Sequence, residues 1–357
     1  MALAAPSAGQ HATTRGARIA GLVSCVPRTV VDNGRFVEQF GAASVAEVVK
    51  MIGVQSRRWV GPDESTADLC QRAGDHLLAG LGWDKDSVDG LIFVSQTPDY
   101  LLPATACALQ GRLGLRTGAL AFDVNLGCSG YPYGLWLAMM MVQSGAASRL
   151  LVAVGDTISR VVDPNDRATA MLFGDAGTVT AIERAPADDT GTVAHFILGS
   201  DGRGETNLII PGGRFKVRSA EQDARLQGRD PGCLYMDGGE IFNFTLGAVP
   251  NLVAGTLAGA HSEVGDYSAF LFHQANLFML KHLVKKAKLP ADKVPINIDR
   301  YGNNSSASIP LLMTTDLAPA LRSSRQKLAM FGFGVGYSWA SASLEVGPLR
   351  MVETIET

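Results

Sequence analysis

Three polar side chains set among small and apolar residues are the best candidates for chemistry in this chain. They are Cys128 in FDVNLGCSGYPYGLWLA, His273 in FHQAN and Asn303 in YGNNSSAS. Cys128 follows an apolar strand and a turn of small residues, and it opens a long helix that carries no charge before Arg149. The unpaired N–H groups and positive dipole end of a helix favour a thiolate there, lowering a pKa that otherwise lies at about 8.5. The thiolate is the reactive form, so this setting predicts a nucleophile. Taken singly, each residue has a plainer reading: Cys128 as a small core residue, His273 as a satisfied structural polar group, Asn303 as a turn or helix cap. Taken together they point to one active site.

Elements far apart in sequence must bring these residues together, and an internal similarity supplies the means. GLIFVSQ (90–96) pairs with AFLFHQ (269–274), AFDVNLGCSG (121–130) with INIDRYGNNSSAS (296–308), and LLVAVGD with LAMFGFG. The first three pairs share an offset of about 177 residues, and GTVTAIE then pairs with SASLEV. Helical patterns over 65–81, 239–258 and 277–287 separate the strands, which favours mixed sheets covered by helices. The expected organisation is a flexible tail over 1–17, a half carrying the Cys over 18–190, and a half carrying the His and Asn over 191–357. The polar, Gly-rich stretch 201–231 reads as a surface excursion. Superposed halves bring equivalent strand ends to their junction, where open α/β sheets hold ligands.

Composition narrows the function. The 357 residues carry 31 Lys and Arg against 34 Asp and Glu, a net charge of −3, and no basic stripe interleaved with aromatics, so nucleic acid is not an expected partner. Five scattered cysteines form no C-x-x-C pair, which argues against disulfides and zinc. The first sixteen residues lack the apolar core of a signal peptide, and the expected compartment is the cytoplasm. The stretch 124–148 is free of charge, but its Gly127, Gly130, Pro132 and Gly134 suit a helix enclosed by protein better than a membrane span.

Several segments in order resemble one family: TPDYLLPATAC, DVNLGCSGY, DPNDRATAMLFGDAG, MDGGEIFNF, HQAN, RYGNNSSAS and GFGVGYSWASA. From about Arg18 onward the chain is similar to the β-ketoacyl-acyl carrier protein synthase III group of the thiolase superfamily. The resemblance implies an α/β fold of pseudo-duplicated mixed sheets in α-β-α-β-α layers. It implies that Cys128 attacks an acyl thioester, with the oxyanion held by the backbone N–H groups of Cys128 and of Val335, which lies between Gly334 and Gly336. A malonyl thioester, expected on acyl carrier protein, then loses carbon dioxide, and its enolate attacks the acyl-enzyme. His273 Nε2–H and the Asn303 amide would hold the enolate oxygen. No metal or other cofactor is implied. The implied partners are a second copy of the chain, acyl carrier protein, and acyl-CoA or another acyl thioester. The implied setting is fatty-acid initiation or a specialised lipid or secondary-metabolite pathway.

Departures from the family pattern bear on substrate. Acetyl-CoA-primed relatives clamp adenine between a Trp and an Arg, and those positions here hold Glu47 and Met51, although Arg167 is retained where relatives contact the nucleotide. Basic positions of the carrier-docking face hold Asn243 and Phe278, while Lys281, Lys285, Lys286 and Lys288 remain. Leu102 occupies the position that enters the neighbouring subunit's acyl pocket, and it is smaller than the Phe of short-chain enzymes, which implies a primer longer than acetyl. Phe173-Gly174-Asp175 and 236–244 read as structural. Two other activities remain open: transfer of the Cys-bound acyl group to an alcohol or amine without decarboxylation, and a non-catalytic acyl- or partner-binding subunit.

Overall fold

Leu91, Ile92, Phe93 and Val94 follow one another with no polar residue between them, and all four are buried. A strand with both faces covered has this composition. Ile92 and Val94 face a central helical layer, while Leu91 and Phe93 face helices on the outside. The computed structural model, which describes residues 8–189, 192–212, 214–216 and 224–357, repeats this arrangement in two sheets.

The first sheet runs in the order Met351–Glu356, Ala17–Val26, Ala176–Arg184, Arg149–Asp156, Gly90–Val94, Leu120–Val124. The second runs Gln10–Thr14, Ala194–Ser200, Ser338–Val346, Gln326–Gly334, Ala269–Phe272. In each, a parallel pair is followed by two antiparallel ones. Between the sheets, helices Gly130–Gln143 and Ser308–Thr315 share one core with both inner faces. Thr66–Leu81 and Thr105–Arg112 cover the outside of the first sheet, and Gly238–Gly259 and Leu277–Lys286 that of the second. The layers are α-β-α-β-α, the pseudo-duplicated α/β architecture that the paired segments predict.

Four expectations need correction. The tail is not structureless throughout, because Gln10–Thr14 pairs antiparallel with Ala194–Leu198. Its sequence QHATT has no apolar alternation, since the ladder and the buried Thr14 hold it rather than an apolar face. Residues 1–7 lie outside the described residues. The halves also exchange strands: Gln10–Thr14 borders the second sheet, and Met351–Glu356 pairs with the first. The stretch 296–298 forms no strand. It leads into the single-turn helix Ile298–Tyr301, because the Asn297 N–H donates to Gln274 Oε1 and its side chain to Thr315 Oγ1, turning the chain away from the sheet edge. Finally, helix Gly130–Gln143 is not enclosed on all sides within one chain: Trp136, Leu137 and Met141 are half-buried and Met140 is exposed. Among the described residues, the helix that is long and apolar enough to cross a membrane is another one, Gly238–Gly259, whose Val249, Leu252 and Val253 pack under the second sheet.

Candidate active site

Cys128 stands two residues ahead of helix Gly130–Gln143, in the turn that follows strand Leu120–Val124. The turn joining Gln326–Gly334 to Ser338–Val346 crosses directly over it. A Cβ on Gly334 would lie 2.8 Å from both Cβ and Sγ of Cys128, so only glycine allows that strand end to lie against the thiol. The N–H groups of Val335 and of Cys128 itself, and the Ser305 hydroxyl, each act to lower the pKa of the thiol.

These donors favour a thiolate, yet the thiol is pushed up to about 12, first by burial and then by the nearby Asp156 carboxylate. The low pKa expected from the helix start is therefore reversed. Desolvation at a residue only 8% exposed outweighs the donors around it, and the resting group is a thiol.

His273 follows the last residue of strand Ala269–Phe272 and is 2% exposed. Burial drives its pKa down to about 4, with the Ser305 backbone opposing the shift, so the ring is neutral at pH 7. Its Nδ1 lies 2.9 Å from Ser308 Oγ, and the same hydroxyl lies 2.9 Å from the Ser305 carbonyl. When the Ser308 proton turns to Nδ1, the ring hydrogen resides on Nε2, where it can be donated to a ligand. The edge of the ring packs on Phe333.

Asn303 is fixed by the other half of the chain. Its N–H donates to the Leu172 carbonyl (2.9 Å) and its carbonyl accepts from the Gly174 N–H (3.1 Å), a parallel bridge across Phe173. A Cβ on Gly174 would fall 2.1 Å from the Tyr301 carbonyl oxygen, which explains the glycine. Asn303 Oδ1 accepts from the Ser305 N–H (2.9 Å), and Nδ2 donates to the Ala275 carbonyl (3.3 Å). These two bonds set which end of the amide is which and leave a second Nδ2 hydrogen for a ligand.

A cavity of about 740 Å³ opens over Cys128. Val335, Ser305, Asn125 and Phe173 surround the thiol side; Gln96, Thr97 and Asp99 form a polar wall; Ile158, Val161, Leu208 and Leu234 form an apolar one. A cysteine and the backbone N–H groups beside its sulfur at such a cavity, with a pinned amide behind Ser305, suit acyl transfer through a covalent thioester.

A family model for the C-terminal part of 3-oxoacyl-[acyl-carrier-protein] synthase III matches residues 257–346, and one for 3-oxoacyl-[acyl-carrier-protein] synthase III matches residues 122–202. A β-ketoacyl-[acyl-carrier-protein] synthase III from Streptomyces coelicolor is 36% identical, over 92% of this chain and 93% of its own length. The chain belongs to the β-ketoacyl-acyl carrier protein synthase III family. The crystal structure of a 3-oxoacyl-(acyl-carrier protein) synthase from Burkholderia xenovorans is 62% identical with a TM-score of 0.96, covering 98% of this chain and 99% of that one. The priming β-ketosynthase of the R1128 polyketide pathway is 27% identical with a TM-score of 0.80, covering 97% of this chain and 99% of that one. As a synthase III, the protein is a condensing enzyme that carries an acyl group on a cysteine and extends it by Claisen condensation with malonyl-acyl carrier protein.

Cys128, Val335 and Gly334 come together at the cavity of this synthase, and Ser305 ties His273 and Asn303 to the same place. Gly336 adopts φ 135° and shapes the far side of the Val335 turn. Arg167 lies apart from these residues, exposed at the head of helix Arg167–Ala170, where it donates to Ser44 Oγ (2.6 Å). Leu102 is 80% exposed, within the exposed run Tyr100–Leu102. The sequence reading missed Ser305 and Asp156. A signal for the second was present, a carboxylate closing the apolar run LLVAVGD.

Proposed function

We propose that Cys128 is the residue that carries the acyl primer, and that His273 and Asn303 serve the condensation that follows. The Cys128 sulfur attacks the thioester carbonyl, and the N–H groups of Cys128 and Val335, which act to lower the pKa of the resting thiol, receive the oxyanion. After the donor thiol leaves, malonyl-acyl carrier protein loses carbon dioxide. The enolate oxygen is then met by the free Asn303 hydrogen, which is in place before charge develops, and by His273 Nε2–H once the Ser308 hydroxyl turns from the Ser305 carbonyl to Nδ1. The observation that carries this reading is the pinned Asn303 amide, whose orientation leaves a donor rather than an acceptor unpaired.

The working unit in this reading is a homodimer. Leu120–Val124 is an unpaired sheet edge with Leu120 exposed, and Tyr100–Leu102 projects from the same half, so that Leu102 enters the partner's acyl pocket. Lys281 and Lys285, on the exposed face of helix Leu277–Lys286, offer an acidic carrier protein a positive surface, whereas Lys286 donates to the Leu246 carbonyl. Arg167 contacts the nucleotide of an acyl-CoA donor, and the primer is longer than acetyl. Intact-protein mass spectrometry after incubation with a panel of acyl-CoA and acyl-carrier thioesters, followed by malonyl-carrier protein, tests this. The expected result is an adduct absent from Cys128→Ala that disappears with release of carbon dioxide and a β-ketoacyl product. An adduct that persists until an alcohol or amine is added would make the enzyme an acyltransferase instead.

A further inference from the structure

Arg57, in the short strand Ser56–Arg58, is 0% exposed, and among the described residues its guanidinium bonds to neutral acceptors. Its Nη1 donates to the Val31 carbonyl (3.2 Å), and Nη2 donates to both Asn33 Oδ1 (2.7 Å) and the Met171 carbonyl (2.7 Å). The guanidinium carbon lies 5.0 Å from the centre of the Phe36 ring. Burial lowers the pKa to about 10, with Asp32 opposing the shift, so the group stays charged at pH 7. A buried charge held by neutral acceptors costs stability, so its presence calls for another reason.

The strip 171–175 supplies one, because it is gripped from both sides. On one side the Met171 carbonyl accepts from Arg57, the Phe173 carbonyl accepts from Trp59 Nε1 (3.0 Å), and the Asp175 N–H donates to the Arg58 carbonyl (2.8 Å). The intervening groups, the Leu172 carbonyl and the Gly174 N–H, turn the other way and bond to Asn303. The Arg57 stem lies against this bridge: a Cβ on Gly174 or on Gly302 would stand 3.2 Å from the Arg57 Cβ. The segment that leads to Asn303 is tied to the same stretch, since the Gln55 N–H donates to the Asp299 carbonyl (2.9 Å) and Ser56 Oγ to the Arg300 carbonyl (3.2 Å). Both partners in the Phe173–Asn303 bridge are thus fastened to residues 55–60, with Arg57 at their junction.

We propose that Arg57 is a positioning residue for condensation, its guanidinium fixing the 171–174 strip and thereby holding the Asn303 amide where the enolate oxygen forms. The proposal rests on the assignment of Asn303 as an enolate donor. Arg57 is not among the residues that line the cavity, and acyl loading relies on Cys128 and the N–H groups beside its sulfur. Loss of Arg57 therefore strikes the second half-reaction and spares the first. The rigid fork of the guanidinium reaches Val31, Asn33 and Met171 at once, whereas a lysine ammonium is a single point that keeps one of these bonds in place less firmly. A donor aimed at developing charge acts through its fixed position, and a displacement of about 1 Å costs on the order of 100-fold in rate.

The test compares wild type, Arg57→Met, Arg57→Lys, Asn303→Ala and the double variant Arg57→Met/Asn303→Ala. Methionine follows the course of the arginine stem and leaves no charge to bury. Two rates are read by quenched mass spectrometry: loading of Cys128 from hexanoyl-CoA, and single-turnover condensation of the loaded enzyme over a range of malonyl-carrier protein concentrations. Arg57→Met is expected to load within about threefold of wild type and to condense about 100-fold more slowly at saturation, with the half-saturating concentration changed by less than about threefold. Arg57→Lys should lose about tenfold in condensation alone. The double variant should condense no more slowly than Asn303→Ala, because the two residues act as one unit. Condensation by Arg57→Met within about threefold of wild type, equal losses in both steps, or a double variant slowed by the product of the single effects would each overturn the proposal. Should Arg57→Met fail to fold, the same comparison of the two steps in Arg57→Lys decides the matter. Asn303→Ala that condenses as fast as wild type would refute the enolate-donor assignment and this proposal with it, whereas a slow Asn303→Ala beside a fast Arg57→Met would overturn this proposal alone.

Discussion

Gly334→Ala should separate the stability of this protein from its reactivity. The added methyl would sit 2.8 Å from both Cβ and Sγ of Cys128. Ordinary carbon contacts close at about 3.5–4.0 Å, so something must give by roughly 0.7 Å or more. Rotating the thiol relieves only the contact with Sγ. The contact with Cβ is fixed to the backbone, so the Cys128 turn or the 334–336 turn has to move. Overpacking of this kind costs about 1–3 kcal/mol. With an unfolding entropy of about 2.1 cal/mol/K per residue, a chain of this length loses only about 1–4 °C in melting temperature. Displacing a reacting atom by about 1 Å costs on the order of 100-fold in rate. The expected outcome is a folded protein, shown by thermal melting, that loads acyl-CoA about 100-fold more slowly in a mass-spectrometric time course. Loading within about threefold of wild type would refute the claim that this glycine sets the position of the sulfur.

Asn303→Ala removes the pinned donor and leaves the Ser305 N–H without its acceptor. Loading should persist while condensation falls about 100- to 1,000-fold, so the acyl-enzyme accumulates in single-turnover experiments with malonyl-carrier protein; equal losses in both steps would count against the assigned role. His273 has a folded pKa of about 4 against an ordinary value of 6.5, so the unfolded chain binds the extra proton between those values and stability falls as pH is lowered through that window. Melting curves of wild type should therefore decline relative to His273→Gln between pH 6.5 and 4, and parallel curves would show that the ring titrates normally. Leu102→Phe should shift the preferred primer towards shorter chains without changing the Cys128 alkylation rate; an unchanged primer profile would place residue 102 outside the acyl pocket.

The motifs around Cys128, His273 and Asn303 were legible because each is compact in sequence and sits at the end of an element. The alternation of strand and helix patterns likewise disclosed the duplicated sheets. What could not be read was whatever depends on contacts across the chain. Ser305 is one serine among several in NNSSAS until the fold brings it to the cavity over Cys128. The sign of the thiol's shift followed the same rule. A helix start visible in sequence argues for a thiolate, but the surrounding layers that desolvate the sulfur come from the other half of the chain. Gln10–Thr14 escaped because an edge strand held by its ladder needs no apolar pattern, and 296–298 misled because a short apolar run fits a buried turn as well as a strand.

The exchange of outer strands between the halves also bears on how the chain is made. Met351–Glu356 pairs in register with Gly21–Val26, so the sheet that positions Cys128 lacks this edge strand until residues 351–356 have left the ribosome. The sheet of the nucleophile is begun first and completed only after the strands of the second sheet have been made. A chain cut before Met351 would be damaged in the N-terminal half rather than the C-terminal one, and it would present an open, apolar sheet edge to the cell's quality control.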